Sequence, residues 1–153
     1  MIGYVTIFEA DMYIQSRYTS TDPVRVAWEK LSEDDQVSIL NASADAINSL
    51  IVPGRKTYPD SSNVFPRWPD TEVDDRIKYA QIENALSINQ GDESIETYKR
   101  MRAYGISHYS IGNLSETMVQ WGGASSSDML AAGIVSDKAQ SFLKPFIGGG
   151  FCL

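Results

Sequence analysis

The sequence predicts a mainly α protein: a small helical bundle with a long Pro-rich loop, a small β-hairpin and an extended C-terminal tail. Three observations lead there. Several apolar stripes at three/four spacing each follow a capping residue. Four prolines (Pro53, Pro59, Pro66 and Pro69) fall between residues 53 and 70. Gly112-Asn113 separates two β-prone runs, the signature of a two-residue hairpin turn.

The first element opens on Thr6-Ile7-Phe8-Glu9. This is a capping box: the Thr hydroxyl accepts from the third helical amide and the Glu carboxylate reaches back. A helix from about Ile7 to Tyr18 follows, with Ala10, Tyr13, Ile14 and Arg17 on one face. Asp22-Pro23 is a cap with proline at the first helical position, and a short helix runs to about Lys30 around Val26 and Trp28. Ser32 caps a longer helix whose first turn holds Glu33, Asp34 and Asp35, matched to the positive end of the helix dipole. Val37, Leu40, Ala44, Ile47 and Ile51 supply its stripe, and Pro53-Gly54 ends it.

The loop over 53–70 exceeds the length that an idle connection usually has. It also carries Tyr58, Phe65 and Trp68, so a binding role is expected of it. Thr71-Glu72-Val73-Asp74 reads as a second capping box, leading a helix with Val73, Ile77, Ala80, Asn84 or Ala85, and Ile88 inside and Gly91 as its stop. A helical or loose segment is expected over 93–104, then strands at Ile106–Ile111 and Leu114–Val119. Trp121 to Ser127 has the composition of a flexible linker. Asp137 starts a last helix with Ala139, Phe142, Leu143 and Phe146 on one side, which Pro145 should shorten or kink. Gly148-Gly149-Gly150 then tethers an apolar tip, Phe151-Cys152-Leu153. The expected division is a helical domain with hairpin over 1–120, and a linker, short helix and docking tail over 121–153.

Composition excludes several classes. With 153 residues, 42% hydrophobic and 22% charged, the chain can bury a core as one domain. No run of about 18 apolar residues is present to cross a membrane, and Met1 to Asp11 does not read as a signal peptide. Thirteen Lys and Arg stand against 20 Asp and Glu, a net charge of −7. Tight nonspecific binding of nucleic acid needs a basic surface that this balance does not favour. Residues 101–153 hold only three acids and three bases, as a core or a protein-binding surface would.

No chemistry stands out. His108 is the only histidine and Cys152 the only cysteine, too few ligands for a common zinc site. Ser141-Phe142-Leu143-Lys144 matches a Ser-x-x-Lys pattern without its companion motifs. The glycine pairs and triplet lack the following Lys-Ser/Thr of a phosphate cradle. The expectation is no catalysis, no cofactor and no metal.

Pieces spread along the chain carry a resemblance. They are Tyr4-Val5-Thr6 with Glu9-Ala10-Asp11 and Tyr13, Ala27-Trp28, Ala42 and Ala46, and Gly54-Arg55-Lys56. Phe65-Pro66-Arg67, the Val73 to Ala85 stretch and Ile111-Gly112-Asn113-Leu114-Ser115 complete them. In this order the chain resembles the head–tail connector adaptors of tailed bacteriophages, many relatives of which carry a DnaT-like single-stranded-DNA-binding label.

The resemblance implies a structural virion protein that forms a ring, typically of twelve copies, under the portal vertex. Such a ring extends the DNA channel, lets DNA pass without specific binding and docks the next tail component. The chain would then reside in the host cytoplasm during assembly and afterwards at the head–tail interface. Portal docking is expected of Phe142, Leu143, Phe146, Ile147, Phe151 and Leu153, with packing of the first four on the subunit's own core as the competing reading. Arg55, Phe65, Arg67 and Trp68 are expected at an inter-subunit loop, with the arginines tethering the loop to their own subunit as the competing reading. A single-stranded-DNA-binding role, which needs a basic groove lined with stacking aromatics, and a small hydrolase built on His108 or Ser141 are the alternatives.

Overall fold

The computed structural model describes residues 2–91, 108–111, 114–117 and 126–147. Within them are six helices, α1 (Ile7–Arg17), α2 (Pro23–Glu29), α3 (Glu33–Asn48), α4 (Asp75–Gln90), α5 (Ser126–Ala132) and α6 (Asp137–Ile147), and a two-stranded antiparallel hairpin, β1 (His108–Ile111) and β2 (Leu114–Thr117). The protein is mainly helical, as its capped stripes predict.

Local chemistry starts α1, α2 and α3. The Thr6 hydroxyl accepts from the Glu9 amide, and the Glu9 carboxylate accepts from the Thr6 amide at 2.7 Å. Asp22 caps α2 ahead of Pro23, and Ser32 caps α3. Gly91 ends α4 in the left-handed region, where only glycine sits without strain. Hairpin register pairs Ile111 with Leu114 across the expected turn.

The helix α4 is the axis of the bundle. Ile77 and Ala80 face one apolar cluster, with Tyr4, Ile47, Phe65, Met129, Ile134, Leu143 and Ile147. Ile82, Ala85 and Leu86 face a second, with Val5, Tyr13, Ile14, Trp28 and Leu40. Burial on both sides encloses the polar residues between them, and each is hydrogen-bonded, as burial requires. Gln81 accepts the Tyr4 amide at 2.9 Å and donates to the carbonyls of Ile2 and Leu40. Asn84 accepts the Val135 amide at 2.8 Å and donates to the Gly133 carbonyl, fixing the turn between α5 and α6. Glu83 accepts from the hydroxyls of Tyr13 and Tyr18 at 2.8 and 2.7 Å.

Several expectations need correction. Helix α4 begins at Asp75 with Asp74 as its cap, not with a box on Thr71. The Asp74 carboxylate takes the Arg76 amide at 2.8 Å, while the Thr71 carbonyl is engaged by the Tyr58 hydroxyl in the loop. Ile51 leaves the α3 stripe and is 89% exposed, because α3 stops at Asn48. Ser126 and Ser127 belong to α5 rather than a linker, and Met129 of that helix is fully buried. Helix α6 runs through Pro145 to Ile147. The C-terminal helices α5 and α6 share an apolar core with Tyr4, Ile47 and Ile77. The segment over 93–104, Gly112-Asn113, 121–125 and 148–153 lie outside the described residues.

Candidate functional site

The Pro-rich loop is a built structure. Phe65 anchors it, 5% exposed, with its ring edge-on to Tyr4 at 6.2 Å and to Phe146 at 5.6 Å. The Val64 amide donates to Asn48 and to the Tyr4 hydroxyl, and Asn63 donates to the Gly3 carbonyl. Burial pushes the Tyr4 hydroxyl up to about 12.

Arg67 closes the loop on itself. Its guanidinium donates to the carbonyls of Val52 at 2.9 Å, Val64 at 3.2 Å and Pro53 at 3.3 Å, and also to that of Gly54. Five donors on one rigid plane make this possible, and a lysine could not reproduce it. Backbone bonds between Trp68 and Arg55, at 2.9 Å, and between Thr57 and Pro66, at 3.1 Å, hold the two loop arms together. The peptide bonds Phe65–Pro66 and Trp68–Pro69 are cis.

What the loop offers outward is aromatic and cationic. Trp68 is 57% exposed, and the Arg55 guanidinium lies 4.7 Å above its ring. Tyr58 and Ile51 are exposed nearby in sequence. Lys56 donates to the Ser61 carbonyl. Arg55, Lys56 and Arg67 are thus held by a ring and by neutral carbonyls, and none forms a salt bridge among the described residues.

A second surface lies across α1, α2 and α3. Asp11, Ile14, Gln15, Trp28, Glu29 and Gln36 line an open groove of about 220 Å³. Asp11 accepts from the Trp28 indole at 2.8 Å, and Gln36 donates to the Trp28 carbonyl. Phe8, 71% exposed, and Met12 continue the α1 stripe on which Gln15 sits.

The structure sorts the expected site residues. Leu143 and Ile147 are buried in the subunit's own core, as the competing reading of self-packing has it. Their spacing from Ala139 carries the helix's inward face, and that face meets α4. Phe142 and Phe146 are half-buried: Phe142 packs edge-on to Tyr79 at 5.8 Å, and Phe146 sits between Phe65 and the Arg76 guanidinium. Phe151 and Leu153 lie outside the described residues. Of the four inter-subunit residues, Phe65 and Arg67 serve their own chain, whereas Arg55 and Trp68 stand at the surface. Sequence reasoning missed Phe8, Met12 and the buried Gln81 and Glu83. The last two had one signal: two apolar stripes on one helix, Ile77-Ala80 and Ile82-Ala85-Leu86, leave little solvent for what lies between.

No metal-holding group of three or more His, Cys, Asp or Glu is present among the described residues. No helix there is long and apolar enough to cross a membrane.

A small helical body with a rigid, outward-facing loop defines the chain as a protein of the mainly helical class. It belongs to the family described as "Putative DnaT-like ssDNA binding protein", whose profile matches residues 3–153. No curated protein and no solved structure matches the chain.

Proposed function

We propose that this chain is a structural adaptor of tailed-phage particles. It assembles into a ring, docks under the portal protein, extends the DNA channel and receives the next tail or neck component, with no covalent chemistry of its own. The supporting resemblance runs through Tyr4-Val5-Thr6, Ala27-Trp28, Gly54-Arg55-Lys56 and Phe65-Pro66-Arg67. The observation that carries this reading is the placement of positive charge. The chain has a net charge of −7. Arg17, Arg25, Arg76, Lys78 and Lys138 each meet a carboxylate, a tyrosine or another ring of the same chain, and Arg55, Lys56 and Arg67 are held within their own loop. A channel wall of net negative charge repels phosphates and lets DNA slide, while the loop cations, held by a ring and neutral carbonyls, keep their charge for a protein neighbour.

The second reading, binding of single-stranded DNA, is favoured by the family's description. It draws on Arg55, Tyr58 and Trp68, which combine charge with exposed rings as strand-binding surfaces do. Its weakness is that Arg55 already covers a face of Trp68.

One experiment separates them. The purified full chain is mixed with portal protein, and separately with a labelled oligonucleotide at low and moderate salt. The adaptor reading expects co-purification with portal and no oligonucleotide shift at moderate salt. Deleting residues 148–153, and with them Phe151 and Leu153, should weaken portal attachment while leaving helical content intact. Portal indifference together with salt-sensitive oligonucleotide binding would reverse the two readings.

A further inference from the structure

We infer, on the ring reading above, that the Pro-rich loop of one copy docks head-to-tail into the groove between α1, α2 and α3 of the next copy. The loop and groove are distinct faces of one chain, and each lacks what the other has. Residues 51–69 carry Arg55, Lys56 and Arg67 against the single acid Asp60, a net +2 on a chain of −7. None of the three cations forms a salt bridge among the described residues. The groove carries Asp11 and Glu29: Glu29 pairs with Arg25 at 2.7 Å, whereas Asp11 accepts from the neutral Trp28 indole and forms no salt bridge among the described residues. Charge therefore opposes pairing of loop with loop or groove with groove, and favours loop with groove.

The apolar surfaces agree with that pairing. Ile51, Tyr58 and Trp68 are exposed on or beside the loop, and Phe8 and Met12 are exposed on α1 at helical spacing from the groove residues Asp11 and Gln15. Tryptophan and arginine are the residues most enriched at protein–protein contacts. The Arg55–Trp68 stack presents both as one rigid unit, since Trp68 is tied to Arg55 through its backbone as well. Rigidity lowers the entropy lost on docking. A contact between two different faces is heterologous, and repeated with a closing rotation it makes a ring. The occupant is thus a second copy of this chain, and the contact supplies the inter-subunit bond that the adaptor reading requires.

The test is the native mass of the full chain against concentration, by light scattering, with helical content followed by circular dichroism. Wild type should assemble. Trp68→Ser and Arg55→Glu should each raise the concentration for half-assembly by about tenfold or more, as loss of a central contact does. Phe8→Ser, one helical turn from the groove residue Asp11, should do the same. Because all three side chains lie at the surface, helical content should not change. If wild type assembles and the Trp68, Arg55 and Phe8 variants assemble equally, this contact is wrong and the ring reading stands. If wild type remains monomeric at every concentration and with portal present, both fall. Oligonucleotide binding by wild type that Trp68→Ser abolishes would assign the loop to nucleic acid instead.

Discussion

The side-chain oxygen of Gln81, in the middle of α4, accepts the backbone amide of Tyr4 at 2.9 Å, 77 residues away in sequence. The Gln81 amide group donates to the carbonyls of Ile2 and Leu40 at 2.8 and 3.0 Å. One side chain thus ties the N-terminal turn, α3 and α4 together in a site with no exposure. Replacement by Leu leaves the buried Tyr4 amide without an acceptor, while the Ile2 carbonyl keeps the Val5 amide and the Leu40 carbonyl keeps its bond within α3. One such buried group costs about 1–3 kcal/mol, so Gln81→Leu should destabilise by about that amount. Gln81→Glu keeps the shape but turns two donors into acceptors, and should be at least as harmful. Chemical denaturation of both variants checks this, and a loss below about 1 kcal/mol would contradict it.

Gly3 makes the close approach of that turn possible. Its φ is +64°, and a Cβ placed there would lie 2.4 Å from the Ala44 Cβ. Both the backbone conformation and the clash oppose any side chain. Gly3→Ala should therefore cost about 2–4 kcal/mol. Thermal melting of Gly3→Ala beside Gly54→Ala is an internal control. Gly54 also has a positive φ, but a Cβ added there would meet nothing within 4 Å, so its variant should lose clearly less.

Alkaline pH should weaken the fold through three tyrosines. Burial pushes the Tyr4 hydroxyl up to about 12, against an ordinary value of 10.0. Burial, and then the Glu83 carboxylate, push Tyr13 and Tyr18 upward as well. Above pH 10 the unfolded chain releases these protons while the folded chain retains them. Fewer protons bound in the unfolded state means that stability falls as pH rises through this window. Below pH 10 the contribution is fully present. Tyr4 alone should account for about 2–3 kcal/mol lost by pH 12. Denaturation midpoints between pH 9 and 12 report the slope. Glu83→Gln should flatten it by removing the negative charge beside Tyr13 and Tyr18, and Tyr4→Phe should remove the part that belongs to Tyr4.

Arg67 should prove structural and resistant to conservative exchange. It satisfies the carbonyls of Val52, Pro53, Gly54 and Val64 at once. Arg67→Lys loses the planar fork and should loosen the loop almost as much as Arg67→Ala. Amide exchange at Thr57 and Trp68, whose backbone bonds join the loop arms, gives the readout. Both variants should exchange these amides faster by about tenfold or more, while the α4 amides are unchanged. Equal protection in Arg67→Lys would show that a point charge suffices.

Much of this fold was legible because its signals are local. A Thr and a Glu three residues apart are enough to start α1, Asp22-Pro23 starts α2, and Gly91 stops α4, since each acts on backbone groups within one turn. Thr71 had the same spacing as Thr6 and still failed as a cap. Tyr58 engages its carbonyl from 13 residues away, and the helix begins at Asp75 instead.

The candidate site divides along the same line. The residue types of the Pro-rich loop marked it as functional surface, with three rings and three cations where an idle loop has few. Whether a given ring or guanidinium turns inward or outward depends on partners that the chain meets only on folding. Phe65 finds Tyr4 and Phe146, Arg67 finds its own loop's carbonyls, and Leu143 and Ile147 find α4, so these four are absorbed. Arg55 and Trp68 find each other and remain outside. Sequence alone determined the starts of α1, α2 and α3, the charge balance and the existence of the loop, because those are properties of neighbours along the chain. Tertiary structure alone decided which residues were left to meet another molecule, because exposure is what remains after every long-range contact has been made.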